Sequence, residues 1–217
     1  MKINIDQALI TMKSVLQNLS EGEIEKDIMD SRDEVLSRYS MLFSSKNIPN
    51  LQENDFRQFL MIRNNHHWSG LQRMGPGICQ DMSKLRLALL ELIDAETPIS
   101  ERIDSLLPKG KAKVNKLGKA VLTPILLISN PEKYGVWNGT SEGALRKLEI
   151  WPKFDKKMSI GKQYVEINNL FLDIANQLNI DLWTLDALWW RIIKFDDSVL
   201  NESSQIEEGE SEQQFGL

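Results

Sequence analysis

One cysteine and two histidines in 217 residues leave little material for disulfide or metal chemistry. Cys79 alone closes no internal disulfide, and the adjacent His66 and His67, with no cysteine pair beside them, fall short of a zinc ligand set. No stretch approaches the roughly 20 consecutive apolar residues that a membrane-spanning helix needs. The N-terminal MKINIDQALITMKSVL interrupts its apolar residues with acid and amide groups, unlike a secretory leader. Paired alternating segments around a tight turn are missing as well, and so is any internal repeat. These absences predict a soluble, cytoplasmic chain with few or no strands, no metal and no cofactor.

What remains is 41% apolar, enough for a real core in one domain, and the apolar residues recur at helical spacing. Residues 3–43 read as helices through Ile5, Leu9, Met12 and Val15, then Val35, Leu36 and Tyr39. A loop over 44–52 is punctuated by Pro49, and a short amphipathic helix covers 55–62. Asp81 is placed to cap a helix to Asp94, Ser100 to cap one ending near Leu107, and Asn138 or Thr140 to cap one through Leu148. Pro124 lies inside the apolar run 120–128 and predicts a kink, or a helix that starts later than Gly118. Two further helices cover 161–178 and 181–195.

The net charge of −5 is unevenly spread. The last seventeen residues hold Glu202, Glu207, Glu208, Glu210 and Glu212 and no base, so the remainder is neutral. The division predicted is one all-α domain over 1–200 and an acidic, disordered tail over 201–217. Within the neutral part, Lys109, Lys111, Lys113, Lys116 and Lys119 fall in one turn with Gly110 and Gly118 and no acid among them. Such a turn is either a solvated loop or a phosphate contact in which the free N–H groups of the following helix meet an anion.

Two places carry candidate chemistry. Asn64, Asn65, His66, His67 and Trp68 form a polar and aromatic cluster that either lines a pocket for an extruded base or packs Trp68 into the core with the histidines capping a helix. Trp137 stands in a glycine-flanked loop and is expected to touch substrate. Trp183, Trp189 and Trp190 read as packing on a broad apolar face. Asp186 between them reads as a carboxylate held by a hydrogen bond or a basic partner.

The segment 103–148, about a fifth of the chain, resembles the helix-hairpin-helix DNA glycosylase superfamily. Leu117-Gly118-Lys119-Ala120-Val121 looks like the hairpin, and Val136-Trp137-Asn138 stands where the family has Val-Asp. The stretch from Trp68 to Trp190, with GKAVLTP, YGVWN and LDALWW, is also similar to N-terminal modules of modification-dependent restriction proteins. The resemblance implies helical lobes around a cleft, double-stranded DNA carrying modified bases as partner, base flipping, and excision of a modified base. A solitary anti-phage enzyme removing glucosylated hydroxymethylcytosine would fit both likenesses. It also implies that Lys111, Lys113, Lys116, Gly118 and Lys119 hold the DNA backbone, with Lys119 one residue from the place of a Schiff-base lysine.

Asn138 is an amide where the family has a carboxylate, so Asp81 or Glu142 is expected to supply the acid while Asn138 positions the sugar or a water. Two other readings stay open. One is a non-catalytic reader of modified DNA that recruits a nuclease or repair protein; the other is an interaction protein whose hairpin touches protein.

Overall fold

Helical spacing of the apolar residues becomes a set of helices joined by turns in residues 5–20 and 23–194, the part described by a computed structural model; no strand occurs among the described residues. The helices are α1 (Ile5–Ser20), α2 (Glu23–Tyr39), α3 (Glu53–Phe59), α4 (Ile62–Asn65), α5 (Gly75–Ile78), α6 (Met82–Ile93), α7 (Ile99–Leu106), α8 (Lys119–Ser129), α9 (Gly139–Lys147), α10 (Ile160–Leu178) and α11 (Leu182–Lys194). The expected acidic tail, 201–217, lies outside the described residues.

Side-chain oxygens stop the backbone N–H groups of several helix starts from going unpaired. Asp81 caps α6 by accepting from the Lys84 N–H at 3.0 Å, and Ser159 caps α10. Asn138 opens α9 with a reciprocal capping box, its oxygen accepting from Thr140 and Ser141 while the Ser141 hydroxyl accepts from its own N–H. Ser100 is not a cap, because α7 already begins at Ile99 with Pro98 in the capping position. Nor does Pro124 delay α8, which runs through it from Lys119. The helix forgoes one backbone bond there, and burial of every side chain from Val121 to Ile128 offsets the loss.

Helix α10 packs along α7, α11 along α9, and α1 across both α10 and α11. The α7–α10 crossing is close enough that a Cβ on Gly161 would collide with the Ser100 carbonyl. The Asp104 carboxylate accepts from the Gly161 N–H at 2.8 Å in the same place. One hydrophobic core joins the described helices. A chain of aromatic contacts crosses it, from Phe43 to Phe59 (4.9 Å between centroids), Phe59 to Trp68 (6.2 Å) and Trp68 to Trp183 (5.6 Å). That chain joins the N-terminal helices to α11 and ends at the site described below. Arg32 of α2 adds a polar tie, reaching Asp181 at the start of α11 at 2.7 Å.

Replacing Gly161 with Ala is expected to cost about 1–3 kcal/mol by forcing α7 and α10 apart. Gly118→Ala, where an added Cβ meets nothing within 4 Å, should leave urea unfolding nearly unchanged. Equal stability of the two variants would show that the close crossing is not a constraint.

Candidate functional site

A cavity of about 590 Å³ opens between several parts of the chain. Helix α11 contributes Asp186, Ala187, Trp190 and Arg191; the segment after α4 contributes His66, His67, Trp68, Ser69 and Leu71. The starts of α8 and α9 add Ala120, Asn138, Gly139 and Thr140, while Ile28 and Ile62 complete the mouth. Its volume falls within the about 300–1,000 Å³ of small-molecule sites.

Asn65 shapes the segment after α4. It is fully buried, accepts from the backbone N–H groups of His67 (3.0 Å) and Trp68 (2.7 Å), and donates to the carbonyls of Phe59 and Trp68. His66 closes α4 in the left-handed region, φ 56°, and its Nε2 lies 3.2 Å from Glu34 of α2. The turn sends Trp68 inward, where its indole N–H donates to Asp186 Oδ2 at 2.8 Å.

Asp186 is buried and faces no arginine or lysine. Burial drives its carboxyl up to about 7, against the opposing pull of the Trp68 hydrogen bond. His67 Nε2 stands 3.4 Å from the same oxygen but makes no hydrogen bond. Burial, with the charge of neighbouring His66 second, drives the His67 imidazole down to about 4. The separation alone would fit an ion pair. Two dehydrated charges without a hydrogen bond between them cost more than they return, so the neutral imidazole beside a protonatable carboxyl is the favoured form.

The other expected site residues sit elsewhere. Asn64 turns away to Gln58, donating to its carbonyl and side chain at 2.8 and 2.9 Å. Trp137 is buried outside the cavity lining, under the Lys119 ammonium, which lies 3.6 Å from its ring centroid. Lys119 also pairs with Glu142 at 3.2 Å, and Glu142 with Arg146 at 2.9 Å. Burial lowers the Lys119 amine, opposed by that pairing; Glu142 resists its own burial and ends below its ordinary value because Arg146 and Lys119 hold it. Its carboxylate is thus neutralised outside the cavity. Asp81 is an exposed cap on α6. His66, His67, Trp68 and Asn138 are the expected residues that the fold brings together.

Lys109, Lys111, Lys113 and Lys116 are exposed, and the buried Val114 and Leu117 pin the turn from beneath. Gly110 is required there, since a Cβ would strike the Ser105 carbonyl. Gly118 has φ −107° and open space beside it, so nothing in the fold itself demands a glycine. Among the described residues no cluster of histidine, cysteine, aspartate or glutamate could hold a metal ion.

No protein-family model, curated protein or solved structure matches the chain. The residue that sequence reasoning set aside is Asp186. Its signal was present: one carboxylate in the apolar face of LWTLDALWW, with no basic residue one helical turn away on either side. Trp190 also departs from expectation, being 46% exposed on the rim and not packed in the core.

The two buried groups give opposite pH dependences. Asp186 holds its proton in the folded state up to about pH 7, so its contribution to stability is present at low pH and lost as pH rises from about 4 to 7. His67 is protonated more readily when unfolded, so its contribution grows as pH rises from about 4 to 6.5. Asp186→Asn should leave the His67 rise exposed, up to about 1.4 kcal/mol per pH unit, and His67→Gln the Asp186 fall. Urea titrations from pH 4 to 7 check both slopes; the same slope in the two variants would refute the assignment.

Proposed function

We propose that the chain is a DNA glycosylase that draws a modified base into the cavity and breaks its N-glycosidic bond. The observation that carries this reading is a protonatable carboxyl, Asp186, buried in the wall of a cavity that also has aromatic and amide groups. Asp81 and Glu142 both lie outside that cavity, so the acid role passes to Asp186.

Protonated Asp186 donates to a ring nitrogen or carbonyl oxygen of the base. The bond to C1′ breaks, its electron pair leaves with the base, and the proton goes with it. Water captures the cationic sugar and releases a proton, leaving an abasic site; solvent returns the proton to Asp186. The Asn138 oxygen is occupied by capping, which leaves its NH2 group, with the Thr140 hydroxyl, to hold the sugar or the water. Trp68 fixes the Asp186 carboxyl by its indole N–H. The volume leaves room for a base carrying a bulky group such as a glucosylated hydroxymethyl, and this substrate fits a defence against phage DNA.

The amide at Asn138 supports a second reading, a non-catalytic reader that recruits a nuclease or repair protein, because the carboxylate one turn on, Glu142, is already held by Lys119 and Arg146. Incubating the protein with DNA containing ordinary, hydroxymethylated or glucosylated cytosine, followed by alkali and mass analysis of released bases, separates the two. Excision should fall as pH rises through about 7 as Asp186 loses its proton. Asp186→Asn should lower it about 10²- to 10⁴-fold, while Asp81→Asn and Glu142→Gln should retain it. Full excision by Asp186→Asn would overturn the acid assignment, and modification-dependent binding without released base would establish the reader.

The exposed hairpin lysines supply the backbone contacts in this proposal. Lys111, Lys113 and Lys116 form no ion pair with a described residue, so all three charges are open to phosphates. Replacing them together with Gln should weaken binding to every DNA sequence and flatten the dependence of log K on log salt by up to about 3, at about 0.9 per phosphate contact. An unchanged slope would remove the hairpin from the interface.

A further inference from the structure

Among the described tryptophans, Trp68, Trp137, Trp183 and Trp189 are buried and Trp151 is partly buried, whereas Trp190 leaves 46% of its surface open at the rim of the cavity. Ile193, three residues on along α11, and Ile62 on the rim are also exposed. Exposing a large aromatic beside two aliphatic side chains forfeits burial that the fold could have used, so the patch calls for an occupant. Its charge says which kind. The Lys194 ammonium lies 3.6 Å from the Trp190 ring centroid and the Arg191 guanidinium 5.1 Å, while the one acid of α11, Asp186, is turned inward.

A flat aromatic group with a cation over its ring suits an unpaired nucleotide, whose base stacks on the part of the ring left open while its phosphate meets the cations. A fully paired duplex offers phosphates here but no free base face. We infer that Trp190, Arg191 and Lys194 form a stacking seat for an unpaired base next to the one in the cavity, so that the protein prefers DNA already opened at its target. This rests on the proposed function for its substrate, but it concerns the rim of the cavity, outside the chemistry.

Fluorescence-anisotropy titrations with one labelled oligonucleotide test it in three forms: single-stranded, in a duplex with a three-nucleotide bubble, and fully paired. Wild type should bind the first two more tightly than the third. Trp190→Ala should weaken binding to them about tenfold or more, the scale of one stacked base, with little change on paired DNA; Trp190→Phe should retain most of the affinity. Replacing Arg191 and Lys194 with Gln should reduce the salt dependence on opened DNA. Equal losses on paired and opened DNA, or no loss, would overturn the seat. Excision is scored in parallel: selective loss by Trp190→Ala with no base released by wild type upholds the seat and rejects the glycosylase. Excision and binding by Trp190→Ala at wild-type levels do the reverse.

Discussion

The hydrogen bond from the Trp68 indole to Asp186 joins residues 118 apart in sequence, and the cavity depends on it. On one side it fixes the segment that Asn65 has folded; on the other it holds a carboxyl that nothing basic neutralises. Both ends are buried, so losing either partner takes from the other its described hydrogen bond. The aromatic chain from Phe43 through Phe59 and Trp68 to Trp183 places this bond where the N-terminal helices and α11 meet. Core packing and site geometry are therefore the same arrangement seen from two sides.

A second constraint works from the hairpin side. The starts of α8 and α9 both reach the cavity because Thr123 of α8 ties them together, its hydroxyl accepting from the Trp137 N–H at 3.0 Å. The cation over Trp137 and the carboxylate of Glu142 complete that corner without entering the cavity. A lysine sandwiched between a ring and a carboxylate is a strut between α8 and α9, poorly free to act as a nucleophile. The Lys119 Schiff-base expectation thus loses its geometric footing, while the exposed lysines earlier in the turn keep theirs.

Much of this is legible in the residues themselves. Period and capping chemistry are local properties, so the helices and the Asp81 and Asn138 caps follow from neighbouring residues alone. Pro98 displacing Ser100 is a local competition that the hydroxyl lost. The site was half legible: His66, His67, Trp68 and Asn138 advertise themselves by polarity or by position. Asp186 does not, because its meaning depends on the partner that faces it. A carboxylate beside an arginine is a strut, and one buried without a base is a titrating acid even though the Trp68 indole N–H opposes the rise; only the tertiary surroundings distinguish them. Trp190 was misread for a related reason, since helical spacing assigns a stripe but not which edge of that stripe a neighbour covers.

The state of the His67–Asp186 pair also bears on how a polyanion could approach. Between about pH 4 and 7 the imidazole is uncharged and the carboxyl keeps its proton until the upper end of that range, so the cavity adds little negative charge behind the mouth. An ionised carboxylate in the same place would serve a cationic sugar better, but its field, poorly screened by the low-dielectric wall, would oppose phosphates passing Arg191 and Lys194. In the proposed excision, keeping the acid neutral until it meets a base would let the rim attract the backbone and the interior still deliver a proton. The burial that makes Asp186 hard to ionise would then serve entry and chemistry together, which an acid at the positions of Asp81 or Glu142, outside the cavity, could not do.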